Sequence, residues 1–217
     1  MGGIEKVSLN ISNKLGDKLS KNDDEKAVLN YGLFIVIHTS LAILATVVIG
    51  ILTNMVIEIM VISVTAAYMK RYSGGMHSSS PLRCIITGVL FSFILSVICK
   101  YVMYNFSNNL MAIVLIMGLS LSYYALYKKC PVPSKNKPLK KESTRKKLRK
   151  KAFKLINIYS ITILILYMSN ITHGLYWAKM LMISIFLGTL LQIFSLTEIG
   201  NKTLKNLEKI YDYINVY

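Results

Sequence analysis

The sequence predicts an all-α, polytopic integral membrane protein: about six hydrophobic helices behind an N-terminal amphipathic helix, forming a single domain over 1–217. Three observations carry this: an apolar composition, apolar residues gathered into long runs, and basic residues confined to alternate segments between those runs. Hydrophobic residues make up 53% of the 217 and charged residues 17%, against about 25% charged in a typical soluble domain. Mean hydropathy is +0.48. Disordered, collagen-like and secreted disulfide-scaffold classes are excluded on this balance. The three cysteines cannot all pair within one chain, so no disulfide framework is expected.

The first segment, 1–30, holds five Lys and five Asp or Glu and no apolar core run, so no secretory signal is expected there. Within it Ile4, Val7, Ile11, Leu15 and Leu19 recur at spacings of three and four, one apolar face of a helix. That face fits packing against the rest of the protein and fits lying flat on a membrane surface equally well.

From 31 to 69 the only charged residue is Glu58. One helix of that length would be about twice as long as the hydrocarbon core is thick, so two helices with a turn at Thr53-Asn54 are predicted. Further apolar runs cover 85–98, 110–126, 155–168 and 175–196. The run 85–98 is short for a span, and such runs can be re-entrant or interfacial. Tyr31, Tyr68, Tyr101, Tyr104, Tyr127, Tyr176 and Trp177 fall near the proposed span ends, as interfacial aromatic belts do.

Charge tests the count. With six spans and both termini in the cytoplasm, the inner segments carry 24 of the 26 Lys and Arg. Only Lys100 and Lys179 lie outside, as the positive-inside rule requires. The net charge of +16 then belongs to cytoplasmic loops facing anionic lipid or an acidic partner. The basic loop 128–154 holds thirteen of these charges. Its first half, with Pro131, Pro133 and Pro138, is expected to be extended or turning, and its second half, 142–154, to be a basic helix.

The chemistry-bearing segment is 70–84, Lys-Arg-Tyr-Ser-Gly-Gly-Met-His-Ser-Ser-Ser-Pro-Leu-Arg-Cys, on the cytoplasmic side between spans two and three. Ser80-Pro81 reads as a helix start, with Ser as N-cap and Pro in the first turn. Cys84 then sits one turn in, where the helix dipole favours a thiolate and Arg83 would add positive charge. His77 precedes Cys84 by seven residues. On one unbroken helix they would stand about 10 Å apart, too far for proton transfer. The Gly74-Gly75 and Ser80-Pro81 breaks allow a loop that folds His77 back onto Cys84. A thiol, an imidazole and a helix N-terminus are the parts of a cysteine nucleophile site. A structural Cys beside an incidental loop His has the same pattern.

Other candidates carry less. Cys99, at the outer end of span three, reads as a packing residue. Cys130 follows Lys128-Lys129, which would lower its pKa, but has no base nearby in sequence. His38, within span one, and His173, in an outer turn, read as structural. Glu58 lies too far from the inner end of its span to orient His77 and reads as an outer-interface residue. No metal-ligand spacing or glycine-rich phosphate loop is present, so neither a metal nor a cofactor is expected. Residue chemistry alone leaves three readings open: a membrane cysteine peptidase, a non-enzymatic export component, and a membrane-anchored binder using the basic loop. Charges inside the spans, which a coupled transporter needs, are almost absent. A nucleic-acid binder would bind in a salt-sensitive way indifferent to Cys84.

At Arg71, Gly74-Gly75, His77 and Cys84 the sequence resembles the accessory gene regulator B (AgrB) family, bacterial membrane cysteine endopeptidases of peptide quorum sensing. The resemblance continues through Pro131, Pro133, Lys135-Asn-Lys-Pro138 with its basic stretch, and Leu191-Gln192. It departs from the family pattern at Glu198, where members tend to have Pro. The resemblance implies a His77/Cys84 dyad in a multi-pass protein of the bacterial cell membrane, with its site near the cytoplasmic face. It implies an AgrD-like propeptide substrate with an acidic C-terminal tail. The tail is removed through a Cys thioester, and the signal portion can close to a thiolactone or lactone. Arg71, Lys128 and Lys129 would attract the acidic tail, and Gly75 would allow close approach of the substrate backbone. An oxyanion hole at the N–H groups of 82–84 is a further expectation. A bilayer with anionic lipids is the other expected partner and nucleic acid is not one; a homodimer is compatible with the sequence, though no motif specifies it.

Overall fold

The computed structural model describes residues 2–75, 78–133 and 141–214. His77 and the stretch 134–140 lie outside these described residues. Among them the chain forms eight α-helices and no strand. Five helices are long and apolar enough to cross a membrane. The sixth expected span, the second half of 31–69, forms a helix of 18 residues but carries three charges, Glu58, Lys70 and Arg71.

Helix α1 (Gly3–Lys18) packs as a hairpin against the start of α2 (Asp23–Thr53). Its buried residues are Ser8, Ser12 and Gly16, whereas Val7, Ile11, Leu15 and Leu19 face outward. The apolar stripe is therefore not the packing face. Small side chains let two helices approach closely; Gly16 receives the stem of Lys26, whose Nζ lies 2.7 Å from Asp17 Oδ1. The stripe is left for a surface outside this chain.

Helix α2 starts at an Asn22 capping box and ends at Asn54, which takes a left-handed conformation with φ 54°. This is the predicted turn at 53–54. The tight reversal is possible because Gly50 meets α3 (Val56–Ser73); a Cβ there would lie 2.8 Å from Val56 Cα. Helix α4 (Pro81–Val97) continues through a π turn (Ile98–Val102) and a 3₁₀ turn to Asn105. The combined 25 residues resolve the shortness of the 85–98 run. Helix α5 spans Asn108–Lys129. In α6 (Glu142–His173) the basic half of the loop and the following apolar run are one helix of 32 residues, about 48 Å long.

Helix α7 (Tyr176–Phe194) is the centre of the molecule, with eleven buried residues. Phe186, Met182, Ile183 and Leu187 pack with Ile62 of α3, Met111 and Leu115 of α5, and Ile163 of α6. Close approach again rests on small residues: Gly188 abuts Ile62 O and Thr65, and Gly118 receives the Phe186 ring. Large apolar side chains remain outward along α2, α5 and α6, for example Leu52, Ile116 and Leu164. In water such a surface would aggregate; in lipid it is the expected exterior. Among the described residues the last helix, α8 (Glu198–Tyr213), starts at Glu198 and is capped by Thr197, whose Oγ1 accepts from Gly200 N at 3.1 Å.

Candidate active site

The loop after α3 is fixed before it reaches Cys84. Gly74 and Gly75 have φ +72° and +120°, which L side chains rarely adopt. A Cβ on Gly74 would overlap Val132 O, the residue with which it forms an isolated parallel bridge. Val132 N donates to Ser73 O at 2.9 Å. Gln192 of α7 ties the same corner, its Nε2 donating to Ser73 Oγ at 2.9 Å and to Gly74 O at 2.8 Å. The glycine pair, the first prolines of the basic loop and Gln192, separate in sequence, therefore form one structural knot.

Helix α4 begins as the sequence predicts, with Ser80 as N-cap and Pro81 in the first turn. Ser80 Oγ accepts from Arg83 N at 3.2 Å, and Ser80 O accepts from Cys84 N at 3.1 Å. Both N–H groups are thus committed to the cap, which corrects the expectation of an oxyanion hole across 82–84. Pro81 has no N–H, so Leu82 N–H is the remaining donor of that turn.

Cys84 is half-buried in the wall of a cavity of about 280 Å³. Helix α2 contributes His38, Ala42 and Thr46 to it, and α3 contributes Ser63, Ala66, Ala67 and Lys70. Leu191 and Gln192 of α7 and Gly200 and Leu204 of α8 complete it. Ser63 Oγ is buried in this setting without a hydrogen-bond partner. Lys70 lies close enough to Cys84 for their charges to interact. Arg83, the expected cation, instead pairs with α8: its guanidinium lies 3.0 Å from Glu208 Oε2 and 2.7 Å from Asp212 Oδ1. Among the described residues Lys70 is therefore the Lys or Arg that lines the cavity, and burial there disfavours its charged form.

The other predicted residues are placed as follows. His77 lies outside the described residues; Ser78, next in sequence, lines the cavity. Gly75 packs on the end of α7, where a Cβ would stand 2.9 Å from Ser195 Oγ, so its close approach is to the protein itself. Arg71 is exposed, with its guanidinium 5.9 Å from the Tyr72 ring centroid. Lys128 sits over Tyr124, and Lys129 Nζ is 3.8 Å from Glu198 Oε1. None of these four lines the cavity. Among the described residues no three potential metal ligands converge.

The cysteines separate cleanly. Cys99 is buried in the central core, 3.6 Å from Ser184 Oγ. Cys130 was expected to feel its lysine neighbours, but it is buried among Met69, Leu126 and Ile156, and burial pushes its thiol up to about 11. Two cavity residues were missed by sequence reasoning, His38 and Lys70. Positions 38, 42 and 46, and 63, 66, 67 and 70, place small or polar residues on one face of each helix, but that spacing does not by itself say that the two faces meet.

The family model for Accessory gene regulator B matches residues 8–196. The chain is 32% identical to a putative AgrB-like protein of Clostridium perfringens (strain SM101 / Type A) over 94% of this chain and 96% of the relative. It is 31% identical to putative AgrB-like protein 2 of Clostridium perfringens (strain 13 / Type A), with the same coverage. A putative AgrB-like protein of Listeria monocytogenes serovar 1/2a is 27% identical over 93% of this chain and 94% of the relative. No solved structure matches the chain. With its apolar helices and the family match over most of its length, this membrane protein belongs to the accessory gene regulator B family, which ties it to the agr quorum-sensing system.

Proposed function

We propose that the protein is a membrane cysteine endopeptidase that removes the C-terminal tail of an AgrD-like propeptide through a thioester on Cys84. The observation that carries this reading is the position of Cys84: one turn into a capped helix, in the wall of a largely apolar cavity, beside the only cation lining it among the described residues. His77 is assigned as the base by the family motif.

In this reading His77 takes the Cys84 proton and Sγ attacks the scissile carbonyl. The C–N bond breaks as His77 returns the proton to the leaving amine, and the acyl group stays on Sγ as a thioester. A side-chain thiol or hydroxyl of the signal portion then attacks that carbonyl. The ring S–C or O–C bond forms, the Cys84 S–C bond breaks, and the proton returns to Cys84. No ATP is needed, because the thioester preserves the activation of the peptide bond it replaced. Apolar walls slow competing hydrolysis. Lys70 stands beside the reacting thiol, and Leu82 N–H is the donor available to the developing oxyanion. The basic surface of Arg71, Lys128, Lys129 and the start of α6 draws the acidic tail to the cytoplasmic face. Anionic lipid at that face competes for the same charges.

The test is co-expression with the propeptide encoded beside this gene, followed by mass spectrometry of membranes and medium. Wild type is expected to yield the freed tail and a Cys84-linked acyl adduct; Cys84→Ala and His77→Ala yield neither while still inserting. Tail release by the Cys84→Ala protein would overturn the reading in favour of an export role.

A further inference from the structure

The family match ends at residue 196, before α8, yet α8 is bound to the helix that carries Cys84. Ties at Ser79, Arg83 and Thr87 hold it, and they bracket the cysteine in sequence. Ser79, ahead of the helix, donates both its N–H and its Oγ–H to the Glu208 carboxylate, the former at 3.2 Å. Arg83, immediately before Cys84, pairs with Glu208 and Asp212. Thr87 Oγ1, one turn later, is 3.0 Å from Tyr211 OH. Arg83 and Thr87 are four apart and share one face of α4; Thr87 lines the cavity together with Cys84 and Gly88 of the adjoining face. The contact is long-range, 125 residues between Arg83 and Glu208, so no local preference produces it.

The electrostatics make this more than packing. Arg83 is only 7% exposed, and a buried guanidinium requires its carboxylates. Burial alone would raise the Glu208 pKa, but the hydrogen bonds from Ser79 and Arg83 outweigh it and hold the carboxyl below its ordinary value. Gly200 and Leu204 of the same helix close one side of the Cys84 cavity. The glycine is required there, since a Cβ would overlap Phe194 O.

We propose that α8 is a latch on the nucleophile's turn: Glu208, with Asp212 in support, holds Arg83 and so sets the position of Cys84 against the cavity. Glu208 is a positioning residue, remote from the reacting atoms. Its effect on cleavage rests on the peptidase reading; its effect on the Cys84 thiol does not. The full-length protein in native membranes is therefore measured twice. One arm follows single-turnover tail release at graded propeptide levels. The other follows alkylation of Cys84 by N-ethylmaleimide, read from the mass of the Cys84 peptide.

Glu208→Ala is expected to lower the saturating cleavage rate about tenfold with the half-saturating propeptide level unchanged. It is expected to change the Cys84 alkylation rate at least threefold. Glu208→Asp restores at least half of both, and Lys205→Ala, on the exposed face of α8, alters neither. Should Glu208→Ala fail to accumulate, Glu208→Gln carries the same comparison with a threefold threshold. Alkylation and cleavage both within twofold of wild type in the Glu208 variant would overturn the latch. So would a fall that Glu208→Asp does not relieve. A wild-type protein that cleaves nothing would count against the peptidase reading alone, because the alkylation arm still decides whether α8 holds the turn.

Discussion

Two junctions at the same end of the helix bundle hold their backbones in opposite ways. The end of α3 is fixed by main-chain contacts: Gly74 against Val132, Val132 N on Ser73 O, and the Gln192 amide across both. The start of α4, a few residues on, is fixed by side chains from a distant helix, through Arg83, Glu208 and Asp212. A knot of backbone and glycine has one geometry or none. A set of charge pairs can be loosened by one substitution and still leave a folded chain. Cys84 sits on the adjustable junction, with the rigid one beside it.

The largest effect should come from breaking the knot. Gly74→Ala puts a Cβ into Val132 O at a positive φ, with backbone on both sides and nothing able to yield. Loss of more than about 3 kcal/mol is expected. The readout is a sharp fall in correctly inserted protein, and in the Tm of what remains in detergent. Wild-type stability would mean that the α3 end and the 130–133 segment are not joined in the membrane.

The same contrast applies to the thiols. Cys130 belongs to the rigid junction, and its thiol is pushed up to about 11 by burial. Raised from an ordinary value near 9, its thiolate at pH 7.5 is about a hundredfold scarcer than that of a free cysteine. Alkylation of the folded protein at pH 7.5 should therefore modify Cys84 first, with Cys130 reacting about a hundredfold more slowly than a free cysteine until the protein unfolds. The sign follows from the shift: below the ordinary thiol range Cys130 is neutral whether folded or unfolded. Above it the unfolded chain ionises first, so raising pH favours unfolding. Equal labelling of the two cysteines at pH 7.5 would show that the junction opens.

Between these lies Gln192. Its Nε2 serves both Ser73 Oγ and Gly74 O in a buried corner, and Gln192→Leu leaves Gly74 O without that donor. A cost of about 1–3 kcal/mol follows, visible as a lowered Tm with insertion retained. If the Tm holds, the backbone contacts alone carry the knot.

Much of this architecture was legible in the sequence. Hydropathy located every apolar helix, the 53–54 turn was forced by length, and Ser80-Pro81 announced the start of α4. What could not be read has a common physical cause. The packing stripe of α1, Ser8, Ser12 and Gly16, has no hydropathy signal, because small residues earn their place by close approach. Lys70 and His38 acquire meaning from a cavity shared by five helices. The capture of Arg83 by α8 depends on a pairing 125 residues apart, so its charge was assigned to Cys84 on sequence adjacency. Structure written in local spacing was readable; structure written in tertiary contact was not.

The smallest effect should come from an exposed tie that runs from the end of α5 to α8. Lys129 Nζ and Glu198 Oε1 are 3.8 Å apart, with side chains 39% and 86% exposed. A pair this open gains little Coulomb energy in water and spends side-chain entropy to form. Glu198→Gln should therefore shift Tm by less than about 2 °C and leave Cys84 alkylation unchanged. Glu208→Ala, on the same helix and removing a carboxylate of the same type, should change that rate. Setting Glu198→Gln beside Glu208→Gln, the same substitution on the same helix, isolates burial of the partner cation as the variable. If Glu198→Gln loosened Cys84 as much as Glu208→Ala does, the hold on α4 would lie in docking the whole of α8, and the Arg83 pair would not be its point of action.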